Sequence, residues 1–182
     1  MILAAIIACE IGFWLALVAG ISLRYISRKP RLGAALLIAA PVIDLALLAL
    51  VTVDLLGGGT ASWHHGLAAL YIGISVAYGH RMIAWLDAKF ATRFDGAPPR
   101  VPLTGWAYTV SCWKDVARTL LAAAIAAGIL GGLVLVVAAR DRTAELLGFF
   151  PILGVIVGID LVWAVSYTLW PKKTAAPTAP VR

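Results

Sequence analysis

The sequence has 182 residues, 62% of them hydrophobic and 13% charged, with a mean hydropathy of +0.95, whereas a soluble domain carries about 25% charged residues. This excludes a pair of soluble domains and predicts one polytopic membrane domain. The net charge of +6 would suggest nucleic acid in a soluble protein, but the basic residues lie between apolar blocks, where they set topology and meet lipid headgroups; no nucleic-acid partner is expected.

Crossing ~30 Å of hydrocarbon takes about 20 helical residues at ~1.5 Å each, and the apolar blocks predict an all-α bundle of five transmembrane helices, at 2–23, 32–56, 62–82, 119–139 and 146–170. The first block lacks a basic region before it, and Arg24, Arg28, Lys29 and Arg31 follow it. It reads as a retained span, not a signal peptide. Glu10, Trp14, Leu17 and Ile21 form one face of it, and Gly12, Ala16 and Gly20 form a small-residue packing seam on another side. In the second span Asp44 is central and Asp54 lies near the end; ten residues of separation is about 80° and ~15 Å, so one broad face can carry both. Pro41, three residues before Asp44, has no N–H for the Leu37 carbonyl and predicts a kink with a freed oxygen beside a carboxylate. Gly57–Gly59 reads as a turn, without the pattern of a phosphate loop.

The third span opens on Trp63, His64 and His65 and closes on His80 and Arg81. The histidines at its two ends are roughly 23 Å apart along one helix, so they cannot share a metal within one chain, and a haem would need a facing ligand from elsewhere. Neither a metal nor a cofactor is expected. Asp54, His64 and His65 are candidates for an outer rim, including a pH-responsive contact between His65 and Asp54; His80 and Arg81 are candidate anchors at the inner interface. Residues 83–118 form an expected interfacial loop. Its first part places Ile83, Leu86, Phe90 and Phe94 on one helical face, predicting an amphipathic segment along the membrane surface. The run APPRVP then breaks the helix, and Trp106, Val110, Trp113 and Ala117 recur at helical spacing after it.

The fourth span has no ionisable residue and reads as scaffold, with Gly128-xxx-Gly132 as a close-approach surface; the fifth carries Asp160 and Gly154-xxx-Gly158. The tail 171–182, rich in Pro, Ala and Thr, predicts disorder. Basic-rich connections, with four Lys/Arg in 24–31, six in 81–118 and three in the tail, alternate with basic-poor ones. The alternation predicts an N-terminus outside and a tail, with both basic loops, in the cytoplasm.

Glu10, Asp44 and Asp160 are candidate proton- or cation-binding groups, because an ionisable side chain inside a span is costly unless neutralised, paired or hydrated. By depth in the sequence they share the midplane. Three acids there cannot all be charged without a counter-ion. One expectation is therefore a small transporter that binds or relays a proton or cation, alone or as a homo-oligomer. The alternative is a non-transporting scaffold or accessory protein contacting anionic lipid or a partner through its basic faces. An enzyme acting on lipid near Trp63, His64 and His65 is less favoured, since no HExxH, GxSxG or intramembrane aspartyl-protease motif occurs and no catalytic residue can be assigned. The two cysteines, Cys9 and Cys112, form no metal or redox pair motif.

Glu10-Ile-Gly-Phe-Trp14, LRY at 23–25, PVIDLALL at 41–48, VDLLGGG at 53–59, HGLAALYIGISVAYGH at 65–80, WLDAKFATRF at 85–94 and SYTLWP at 166–171 resemble a family of small bacterial membrane proteins labelled YmcC-like. The resemblance implies an integral plasma-membrane protein and supplies no activity or catalytic residue. Glu10 is also similar to the essential glutamate of small multidrug transporters, a likeness confined to that residue.

Overall fold

The computed structural model describes residues 2–94, 98 and 101–173; for 2–6, Glu10, Asp44, His64, Phe94 and Arg140 the description stops at the backbone. Residues 174–182 of the expected disordered tail 171–182, and most of the proline-containing break at 95–100, lie outside the described residues. These comprise helices α1 (Ile2–Tyr25), α2 (Pro30–Leu56), α3 (Trp63–Phe94), α4 (Gly105–Val137), α5 (Arg140–Leu147) and α6 (Phe149–Leu169), and no strand. Five helical runs are long and apolar enough to cross a membrane, with α5 and α6 counting as one. The chain is thus a multi-pass helical membrane protein. Exposed Ile11, Leu15, Val18, Leu135, Val155 and Val162 fit this, since lipid chains are as apolar as a core and drive no such residue inward.

Helices α1 and α2 form an antiparallel hairpin. The seam expected on α1 is where they meet: Ala16 and Ala40 are buried, a Cβ on Gly20 would press on Leu37, and one on Gly33 would strike the Gly20 carbonyl and the Arg24 side chain. Trp14, from the opposite face, is 64% exposed. Helix α2 runs unbroken through Pro41.

Helices α3, α4 and α6 pack side by side, with α2 lying against α3 and α4. Two glycines let them approach. A Cβ on Gly73 would collide with the Ala122 backbone carbonyl of α4, and one on Gly66 would enter the Phe149 ring of α6. The close approaches expected through Gly128, Gly132, Gly154 and Gly158 do not form within the chain: a Cβ at each of these meets nothing within 4 Å. Glycine is frequent in membrane helices, so its spacing alone does not say which face a neighbour covers. A core of Leu47, Val51, Leu55, Ala69, Ala126, Leu130, Leu133, Leu146, Phe149 and Leu153 joins α2 to α6.

The expected interfacial loop is mostly helix. Residues 83–94 continue α3, whose 32 residues extend ~48 Å, and 105–118 are the first half of the 33-residue α4. The amphipathic pattern is present, and part of its apolar side is used within the protein: Phe90 stacks on Tyr25 of α1 with ring centroids 4.0 Å apart. The basic segments converge on one end of the bundle, where the Gly105 N–H donates to the Lys172 carbonyl at 2.8 Å. At the opposite end the Ala61 N–H donates to the Arg142 carbonyl at 2.8 Å, and Arg142 Nη1 donates to the Leu55 carbonyl at 2.9 Å. Short α5 thereby adds a second donor to a carbonyl in the last turn of α2 that also accepts the Gly58 N–H at 3.3 Å.

Candidate functional site

The densest polar chemistry lies at the basic end, on residues that hydropathy alone assigns to connections. Arg24, last-turn residue of α1, donates to Asp87 of α3 through Nε to Oδ1 at 2.8 Å and Nη2 to Oδ2 at 2.5 Å. Tyr25 Oη adds a bond to Oδ1 at 2.9 Å. A two-pronged guanidinium–carboxylate bond fixes angle as well as distance, and Arg24 is only 16% exposed. The group tethers the lower ends of α1 and α3 and lines a cleft of about 600 Å³ with Arg28, Pro30 and Phe90.

A second cluster joins α3 to α4. Arg81 Nη1 and Arg118 Nη1 both donate to Oδ1 of Asp115, the latter at 2.8 Å. Arg118 is one turn after Asp115, while Arg81 comes from the neighbouring helix, so one carboxylate oxygen gathers guanidinium groups from two helices. Above it, the Tyr78 hydroxyl lies 3.0 Å from the Asp115 carbonyl and 2.6 Å from Thr119 Oγ1, and Thr119 hydrogen-bonds to Asp160 of α6. Helix α4, expected to be inert scaffold, is therefore the hub of these contacts.

Asp160 is thus met by α4 and faces a cleft of about 640 Å³ shared with Arg81, Tyr108, Asp115, Trp163 and Lys172. It does not join Glu10 and Asp44, because α6 packs on α4 whereas α1 pairs with α2. The register that sets Gly12 against Ile43 and Gly20 against Leu37 does bring Glu10 and Asp44 to one level on adjacent helices. Their side chains, and that of His64, lie outside the described residues.

His65 has a local task. Ser62 precedes α3, and the Ser62 N–H donates to His65 Nδ1 at 2.9 Å, so His65 reaches back over the first turn as the third residue of a capping box does. Asp54 rests on the glycine turn, where a Cβ at Gly59 would meet its carboxylate. Toward the basic end His80 is exposed and Arg81 is the partner of Asp115. Among the described residues no cluster of three His, Cys, Asp or Glu could hold a metal. Sequence reasoning passed over Asp87, Asp115 and Arg142. The spacing of Asp115 and Arg118 is visible in the sequence; pairings across 63 and 34 residues, as for Arg24–Asp87 and Arg81–Asp115, leave no local trace.

No family model matches the chain, and no solved structure matches it. It is similar to the uncharacterized membrane protein YmcC of Bacillus subtilis (strain 168), with 42% identity over 173 residues that cover 94% of this chain and 93% of that protein. At that identity and coverage, and with five helices able to span a bilayer, the chain belongs to the YmcC family of multi-pass bacterial membrane proteins.

Proposed function

We propose that this protein is a non-transporting accessory or scaffold protein of the membrane, holding its basic end against anionic lipid. One observation carries the proposal: Asp87, Asp115 and Asp160 each meet a side chain of a neighbouring helix, from Arg24, Arg81 and Thr119 respectively. Such contacts use carboxylates to fix helix positions. The remaining positive charge at this end suits an anionic surface. Vesicles containing the purified protein should dissipate an imposed proton gradient no faster than empty ones, read with an enclosed pH dye.

A second function is favoured by a different observation. Glu10 and Asp44 are level on the closely packed α1 and α2, two carboxyl groups at one depth in a bilayer, which supports proton or cation binding at that level; Pro41 leaves the Leu37 carbonyl without its helical donor about two turns from Asp44. A gradient dissipated by the protein, and preserved by Glu10→Gln or Asp44→Asn, would establish this transporter in place of the scaffold.

A further inference from the structure

The cluster centred on Asp115 is arranged to do more than join two helices. Beside it lies a cleft of about 370 Å³ lined by Arg81, Leu103, Val110, Ser111, Lys114 and Arg118. Three of these are cationic, one is a hydroxyl donor, and the rest are apolar. Each guanidinium gives one nitrogen, Nη1, to Asp115, while an arginine fork has five N–H donors, so donors remain on both. Arg81 and Arg118 are 46% and 35% exposed in their side chains. Lys114 is exposed, and among the described residues no carboxylate pairs with it. Two positive charges therefore remain after Asp115 is counted against the three cations. Among the described residues, the other acid of the neighbouring cleft, Asp160, is bonded to Thr119.

The position of the cleft selects the anion. Trp106 and Trp113, on the same stretch of α4, are 69% and 43% exposed, and Trp85 of α3 is exposed with Lys89 Nζ 4.6 Å over its ring. Exposed indoles beside basic residues mark the headgroup level of a bilayer. A cation-lined cleft with an apolar wall at that depth matches a lipid with a charged head and a hydrocarbon tail.

We infer that the cleft between Arg81, Lys114 and Arg118 binds the phosphate headgroup of an anionic phospholipid, with Asp115 as the positioning residue that holds the two arginines toward it. The inference rests on the basic end being a membrane-contacting face. The phosphodiester takes charge-assisted bonds from the arginine forks and Lys114, with Ser111 as a neutral donor. The acyl chains run past Leu103 and Val110 into the bilayer.

The test is binding of fluorescent phosphatidylglycerol and phosphatidylcholine to the full-length protein in neutral detergent. The anionic lipid should bind more tightly, and Lys114→Gln should weaken it roughly five-fold, the effect of one basic residue near a membrane surface. Lys89→Gln, an equal charge change outside this cleft, should have a much smaller effect. Asp115→Asn should also weaken binding, although it makes the protein more positive. Tighter binding by Asp115→Asn, or equal losses for Lys114→Gln and Lys89→Gln, would replace the site by diffuse attraction while leaving the membrane-contacting face intact. Equal affinity for the two lipids would overturn both. Release of lipid by inorganic phosphate as complete as that by unlabelled phosphatidylglycerol would make a soluble phosphate the ligand and overturn the lipid assignment.

Discussion

At Asp87 three donors converge, two from Arg24 and one from Tyr25, and its removal leaves a largely covered arginine without a counter-charge. Asp87→Ala should lower stability in detergent by about 1–2 kcal/mol, a range that allows for solvent screening of a part-exposed pair. Tyr25→Phe deletes one bond of the three and should cost less. Thermal unfolding of the purified variants reads both; an unchanged midpoint for Asp87→Ala would show that the tether contributes nothing. The sequence supplied the residue types of this group but not their partnership. Asp87 stands among Arg81, Lys89 and Arg93, where nearby basic residues mask it, and its true partner lies on a helix two spans earlier.

Among the elements, α4 departs most from the sequence-based expectation. Hydropathy finds its apolar half, 119–139, because only that part is uniformly apolar; the helix begins at Gly105, and its polar first half carries Lys114, Asp115 and Arg118. The glycine patterns divide in an instructive way. On α1 the seam was legible because Gly12, Ala16 and Gly20 recur on one side of a helix whose other faces are bulky. On α4 small residues occur on every side, and the backbone that approaches a glycine of its neighbour is that of Ala122, against Gly73. Gly73→Ala should therefore destabilise the bundle by roughly 1–3 kcal/mol, as overpacking does. Gly128→Ala, pointing to open space, should be neutral or stabilising by up to about 1 kcal/mol through helix propensity. Thermal melts of the two variants compare them directly, and an equal loss would disprove the assigned packing face.

For the whole molecule, alternation of basic segments correctly grouped the ends of the helices, because the same charge bias that orients a span collects Arg24, Arg81, Lys114 and Lys172 on one side. Which side faces the cytoplasm is a matter for labelling. In a variant without Cys9 and Cys112, cysteines at Gly58 and Glu145 should react with an impermeant reagent from outside, and those at Lys29, Arg100 and Lys173 only after the membrane is opened. Thr143, though in the same outer connection as Glu145, is fully buried and should stay unreactive. Labelling of Arg100 in intact cells would reverse the orientation. The long third helix has a mechanical consequence. It crosses the expected surface boundary near Met82 without interruption, so its helical phase is the same on both sides of that boundary. A torque applied where Phe90 meets Tyr25 is carried along one stiff rod to Gly66, which has no side chain to cushion it against the Phe149 ring.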